Sequence, residues 1–379
     1  MPHNLLTYVA CLLFFVSCHR TPATAPHSAR EKDGSGIKYA DNFSIKTVKG
    51  YRCIYLFGVK GKNDTAAQFV LANDTTGLSR LWPGYSPVKI PVTKIVAMGS
   101  LYANMLDALG ALPALAGVDN MQYIGNPRIL ATHRAKAIPE LGLSPEIDLE
   151  KTWHLQPQLI LSNGPGNHTL HKLQDNGIPV CYITDHLEKS PLARAEWMKV
   201  VAAFLEKDSV AAVLFDSTEK HYLDFKKAAA ARVNKPRVFT EARFGDVWYM
   251  PGGASYMACL LKDAGAAYVW ADNADAGSLP LSFEQVVVKA AEADFWINPS
   301  GFKSLNEMQQ AENRYTTFKA FKHGNVYNNT LHLNQFGYSN YWESGLLFPD
   351  KVLGDLIHIF HPEVKLSGHP EFTYYKRLP

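Results

Sequence analysis

The stretch Ser209–Arg232, SVAAVLFDSTEKHYLDFKKAAAAR, decides how the rest of the chain is read. Ala211, Phe215, Thr218, Tyr222, Phe225 and Ala229 recur at helical spacing and draw one mostly apolar stripe, while Glu219, Lys220, Asp224, Lys226 and Lys227 occupy the other face. Neither Gly nor Pro interrupts the run before Pro236. At 1.5 Å per residue it makes a rod of roughly 36 Å, long enough to join two lobes. Read alone, the segment fits a surface helix of one large domain equally well, so its flanks decide.

Upstream, Lys94–Met98 reads as a buried strand. Ser100 is placed to cap a helix over 101–109, Gly110 closes it, and 115–118 forms the next strand. The cycle repeats with Asp148 capping a helix through His154, a strand at 159–161, a helix at 169–175 closed by Gly177, and a strand at 180–183. Downstream the same alternation returns: a strand at 237–240, a helix at 254–263 stopped by Gly265, a Ser282/Gln285 capping box, and a strand at 293–298. Alternating strands and helices imply parallel sheets, whose ligands bind at the carboxyl ends of the strands. The expected fold class is therefore α/β, with two Rossmann-like lobes joined by one long helix.

The boundaries follow: a signal peptide over 1–17, a flexible tether over 18–40 and a β-rich segment over 41–93. Then come an N-terminal lobe over 94–190, helices over 191–232 that include the bridge 209–232, and a C-terminal lobe over 237–379. At 379 residues the chain exceeds the size at which one core stops growing. The leader carries an apolar run, Leu5–Val16, of only about 12 residues, too short to span a bilayer, and it runs into Ser17-Cys18. This pattern resembles a bacterial lipoprotein signal and marks Cys18 for lipidation, although the run is preceded by His3 in place of Lys or Arg. The three remaining cysteines outside the leader, Cys53, Cys181 and Cys259, are too scattered for a disulfide framework and read as small buried hydrophobes. Lys and Arg total 38 against 35 Asp and Glu, and no basic stripe appears, which argues against nucleic acid as a partner. The β-rich segment ends in an aromatic loop, Trp82-Pro83-Gly84-Tyr85, which either caps the hairpin or faces a ligand.

The halves echo each other. Asp148-Leu149-Glu150-Lys151 before Leu159-Ile160-Leu161 parallels Ser282-Phe283-Glu284-Gln285 before Phe295-Trp296-Ile297. The order of signal Cys, strand-Ser-helix, Asp-Leu-Glu-Lys, long helix and Phe-Glu-Gln-Val resembles the helical-backbone periplasmic substrate-binding lipoproteins of ABC importers for ferric siderophores and cobalamin. The resemblance runs from about Lys94 to Tyr327. It implies a ligand held between lobes, no cofactor, a monomer on a lipid anchor in the periplasm, and an ABC permease dimer as partner. One glutamate from each lobe docks on the permease, and Glu150 and Glu284 fall at the matching positions.

Aromatics in loops at strand carboxyl ends are the candidate ligand contacts: Tyr102, Tyr123, Trp248, Tyr249 and Tyr256, the last three flanking Pro251-Gly252-Gly253, with Arg243 to meet an anionic oxygen. Rival readings are a receptor for bare metal ions or haem on the same fold, and a cell-envelope hydrolase. The sequence has no Gly-x-Ser-x-Gly, phosphate loop or His-Glu-x-x-His, and His168 with His171 lacks a third ligand nearby. The expectation is a binding protein, not an enzyme. The aromatic stretch 336–343 and the helix at 350–360 exceed the shortest relatives.

Overall fold

A computed structural model describes residues 36–58, 61–136, 138–142, 147–163 and 168–379. The expected signal segment, the lipidated Cys18 and the tether up to Ser35 lie outside the described residues. The long helix spans Asp208–Ala230, and its buried side chains are the six of the apolar stripe, Ala211, Phe215, Thr218, Tyr222, Phe225 and Ala229. Ala211 joins the core of the N-terminal lobe, whereas Tyr222, Phe225 and Ala229 join that of the C-terminal lobe. One stripe thus serves two cores, and the rod fixes their separation.

Strands Leu115–Val118, Ile95–Ala97, Leu159–Ser162 and Val180–Tyr182 lie side by side in that order and are all parallel. In the other lobe the order is Ala267–Tyr268, Arg237–Thr240, Phe295–Ile297, Val326–Asn328 and Lys376–Arg377, parallel except for the last strand. A separate antiparallel sheet of Arg243–Phe244, Val247–Pro251 and Ser278–Leu281 sits on this lobe. Helices at Pro127–Lys136 and over Pro191–Leu205 complete the first lobe. Contrary to expectation, Ser100 begins its helix and does not cap it; Gly99 holds the cap position at φ 134°, and no side chain closes it.

The N-terminal segment is a meander of Phe43–Val48, Tyr51–Gly58 and Gly61–Ala72, with Ser86–Lys89 added parallel at the edge. Lys49 and Gly50, both at positive φ, form the tight connection that right-twisted strands favour. Strand alternation sends Ile54, Leu56, Phe69 and Leu71 into the N-terminal lobe core and Cys53 and Val70 toward Leu78 and Trp82. Trp82 and Tyr85 pack edge-on against Tyr51 and Tyr55, so the aromatic loop caps the sheet. Two buried carboxylates moor the chain entering this meander. Glu196 accepts the amides of Lys38, Tyr39 and Ala40 at 2.7, 2.7 and 2.9 Å, and Glu188 those of Asp41 and Asn42 at 3.0 and 2.9 Å. Cys53 and Cys181 are buried and Cys259 is half-buried, all as free thiols.

Candidate functional site

Loops at the carboxyl ends of the two parallel sheets meet beside Arg194, which holds Asp185 of the first lobe and lies over the ring of Tyr256 of the second. Among the described residues the buried hydroxyls of Thr184, Tyr256 and Thr330 have no hydrogen-bond partner, while the Tyr375 hydroxyl faces the Asn298 side chain. Buried polar groups are normally paired, and an unpaired one is costly. Such groups near the strand ends of both lobes mark where a ligand or water can supply the missing partners. Two non-glycine residues at the ends of adjacent strands, Glu241 after Thr240 and Asn298 after Ile297, adopt left-handed backbone at φ 63° and 55°, strain of the kind that gathers at binding sites. Burial pushes the Glu241 carboxyl up to about 7. Its main-chain oxygen receives the indole N–H of Trp296 at 2.6 Å.

The floor of the cleft joins the lobes. Arg194, on the helix that leads into the rod, donates from Nε and Nη2 to Asp185 at 3.0 and 2.7 Å and lies 4.9 Å from the ring centroid of Tyr256. Tyr341 is buried beside this group, and its phenol is held far above its ordinary range by desolvation first and then by the fields of Tyr375 and Tyr256. At the mouth, the C-terminal segment reaches over to the other lobe. Glu343, 2% exposed, accepts the amides of Gly125 and Asn126, the latter at 3.1 Å, and the Asn104 side-chain amide at 3.1 Å. A Cβ on Gly125 would stand 3.1 Å from the Glu343 carboxylate, a tight contact that would push the carboxylate back by a few tenths of an ångström. Burial raises the Glu343 carboxyl above its ordinary range, while the three donors pull it back.

The structure separates the six candidate ligand residues. Tyr123 stands at the mouth, edge-on to Tyr338 with centroids 4.6 Å apart. Tyr256 borders the floor. Trp248 does not face the cleft: it is fully buried, donates its indole N–H to Thr240 O at 3.0 Å, and packs with Phe239, Phe283, Trp296, Tyr315 and Phe318. The strand pleat that buries Trp248 turns Tyr249 outward, 49% exposed. Tyr102 is 2% exposed and built into the N-terminal core, leaving little surface for a ligand. Arg243 is engaged by Glu312 at 3.2 Å. Gly252 and Gly253 serve packing, since Cβ atoms there would lie 2.2 and 2.3 Å from the carbonyl oxygens of Asp275 and Asn273. Sequence reasoning missed Glu241, Arg194, Tyr341, Tyr375 and Glu343. The aromatic density of 336–343 was the one visible signal for two of them.

Glu150 and Glu284 each stand in the first turn of a helix, behind N-caps Asp148 and Ser282, whose side chains accept from Lys151 N at 2.9 Å and Gln285 N at 3.2 Å. Both are exposed, and each helix feeds a parallel strand, so its N-terminus opens toward the ligand-binding edge of its sheet. A cavity of about 720 Å³ adjoins Glu150, bordered by the half-exposed Trp153 and by His154. Glu284 pairs with Arg314 at 3.2 Å; the same guanidinium holds Glu312 at 2.8 Å and stacks 4.1 Å over Phe283. His168 and His171 are exposed, and among the described residues no three His, Cys, Asp or Glu side chains gather as a metal site.

Two uncharacterized lipoproteins of Methanocaldococcus jannaschii are similar in sequence. One is 26% identical over 79% of this chain and 73% of its own length, the other 21% identical over 90% and 86%. Among solved structures, a periplasmic binding protein from Veillonella parvula aligns with a TM-score of 0.59 at 15% identity, covering 85% of this chain and 98% of that one. A possible iron-binding periplasmic solute-binding protein from Staphylococcus epidermidis aligns at 0.57 with 18% identity, covering 72% and 99%. A periplasmic heme-binding protein from Pseudomonas aeruginosa aligns at 0.56 with 19% identity, covering 74% and 96%. These likenesses agree with the two-lobed frame, and the family profile matches residues 95–330, more than half of the chain and both sheets' central strands. The chain belongs to the periplasmic binding protein family.

Proposed function

We propose that this solute-binding protein is a lipid-anchored, extracytoplasmic receptor that captures an iron-siderophore or corrinoid between its lobes and delivers it to an ABC permease dimer. The observation that carries this reading is the set of buried hydroxyls without a hydrogen-bond partner among the described residues near the strand ends of both lobes, Thr184 on one side and Tyr256 and Thr330 on the other. The two cations nearest the site are already paired, Arg194 with Asp185 and Arg243 with Glu312. With both cations engaged and the buried acids Glu241 and Glu343 alongside, the cleft suits a chelate without peripheral negative charge better than a polyanionic one. The lipoprotein naming of the relatives supports the anchor at Cys18, and the exposed Glu150 and Glu284 are the residues proposed to meet the permease. Haem is the second reading. It is favoured by the Tyr256 hydroxyl, which has no hydrogen-bond partner among the described residues, because a tyrosine oxygen is a ferric haem ligand.

Titration of the purified full chain in detergent with ferrioxamine B, dicyanocobinamide and hemin, followed by tryptophan fluorescence and by absorbance, tests both. Micromolar or tighter binding of either of the first two supports the main reading. A hemin complex with a tyrosinate charge-transfer band, and no binding of the others, replaces it with the second.

A further inference from the structure

The family match ends at residue 330, and the chain continues directly into a segment that touches both lobes. Asn334 donates from its side-chain amide to Gln122 O at 2.7 Å, Glu343 takes the amides of Gly125 and Asn126, and Tyr338 meets Tyr123. Between these anchors lies a pocket of about 390 Å³ bordered by Asn104, Asn126, His332, Asn340, Glu343 and Ser344. The same segment exposes Phe336 at 57%, Tyr338 at 40% and Trp342 at 56%, a run of aromatic surface in which Tyr338 and Trp342 each lean on one neighbouring tyrosine, Tyr123 and Tyr341.

Two features of the pocket fix its chemistry. The Asn340 side chain borders it and makes no hydrogen bond among the described residues, and its oxygen is buried; an unpaired primary amide is complementary to another amide, donor to acceptor in both directions. Glu343 is a buried carboxylate with three donors already in place, which leaves room for one more donor and none for an anion.

Resting on the metal-chelate reading above, we propose that residues 332–344 form a second ligand subsite at the cleft mouth, where a peripheral uncharged amide of the chelate enters the Asn340–Glu343 pocket and its ring or rim lies on Phe336, Tyr338 and Trp342. The pocket is too small for a whole chelate and takes one of its side groups. The subsite selects against ligands whose periphery carries carboxylates, because Glu343 meets them as a like charge and no Lys or Arg borders the pocket among the described residues.

The test uses the full chain in detergent and two matched probes, dicyanocobinamide and its product with the peripheral amides hydrolysed to carboxylates. The expected result is at least tenfold tighter binding of the amide form by the wild type. Asn340→Ala should weaken the amide form severalfold with an unchanged thermal midpoint, since the side chain removed makes no hydrogen bond among the described residues, and Glu343→Gln should lose most of the discrimination between the two probes. Trp342→Ala should weaken both probes equally. Binding of the amide form that Asn340→Ala and Trp342→Ala leave untouched overturns the subsite while sparing the main reading. Binding of neither probe by the wild type, with ferrioxamine B also unbound, removes both.

Discussion

The two lobes share a grammar and differ in what hangs on it. The N-terminal lobe is a plain parallel sheet, and its exposed Glu150 makes no ion pair among the described residues. The C-terminal lobe adds an antiparallel sheet, an antiparallel edge strand and the cleft-crossing segment, and its Glu284 shares Arg314 with Glu312. Arg314 and Arg243 together hold the Glu312 carboxyl down at about 2, the hydrogen bonds from Arg314 being the larger cause. The repeated βα unit therefore supplies a symmetric frame, while the loops make one side a bare acid and the other a pre-paired cluster. If the permease offers equivalent cations to both lobes, the N-terminal lobe receives them directly and the C-terminal lobe must first release Arg314.

The largest effect that tests this contrast is in the cores. Trp248→Ala should destabilise by about 3 to 5 kcal/mol, the range for truncating a fully buried large aromatic, read as a lowered chemical-denaturation midpoint. The protein that remains folded should bind ligand normally. A selective loss of affinity at unchanged stability would restore Trp248 to the cleft.

Next come the buried carboxylates that collect main-chain amides, one kind of clasp in each half. Asp355 in the C-terminal lobe accepts the amides of Thr373, Tyr374 and Tyr375 at 2.8, 2.6 and 3.0 Å and contacts His369 at 2.8 Å. Glu196 does the same for the segment entering the meander. Alanine at either position strands several buried donors and should cost about 3 kcal/mol. Hydrogen exchange separates them: Asp355→Ala should expose 373–375 and Glu196→Ala should expose 38–40. Uniform loss of protection across both lobes would mean that the halves are not independently moored.

A smaller effect belongs to Glu241, whose counterpart in the first lobe is Asp119, a buried strand-end carboxyl also raised by burial but held by main-chain amides. Its folded-state carboxyl titrates near 7 instead of 4.5, so the folded protein binds that proton more tightly than the unfolded chain does. Stability from this group is present at low pH and drains away as pH rises from 4.5 through 7. Glu241→Gln should flatten that decline and gain about 1 to 2 kcal/mol above pH 7, less than full burial would give because the residue is partly exposed. A variant whose pH–stability curve overlays the wild type would refute the buried-acid assignment.

The smallest effects concern the exposed glutamates. Glu150→Ala and Glu284→Ala should leave the thermal midpoint unmoved. In an uptake assay Glu150→Ala should be the more damaging, whereas Arg314→Ala should make Glu284 the equal of Glu150. Equal losses from the two single variants would show that the Arg314 pairing is released at no cost.

How much of this was readable beforehand depends on the range of the interaction. The apolar stripe of the rod, the Asp148 and Ser282 caps and the βα alternation are contacts within a few residues, and each sits in the structure where its local pattern points. Ser100 shows the limit even at short range, because Gly99 at φ 134° turns the chain so that no side chain reaches the helix start. Trp248 shows the limit of composition: an aromatic near a strand end looks the same in sequence whether the pleat sends it inward or outward, and the added antiparallel sheet decided that it goes in. The site partners are farther apart still. Glu343 meets Gly125 across a separation of 218 residues, and Lys38 meets Glu196 across 158. No local pattern encodes which amides a buried carboxylate will find.

The sequence by itself determined the frame of this protein, two α/β lobes on a helix whose single stripe is long enough to enter both cores, because periodicity and capping are written in neighbouring residues. Only the tertiary structure decided which polar groups are left without partners in the cleft, which glutamate is already paired, and that the segment after residue 330 crosses from one lobe to the other. Those depend on where chain ends far apart in sequence are brought together, and the desolvation that makes an unpaired amide or a buried carboxylate matter exists only once the lobes have closed around it.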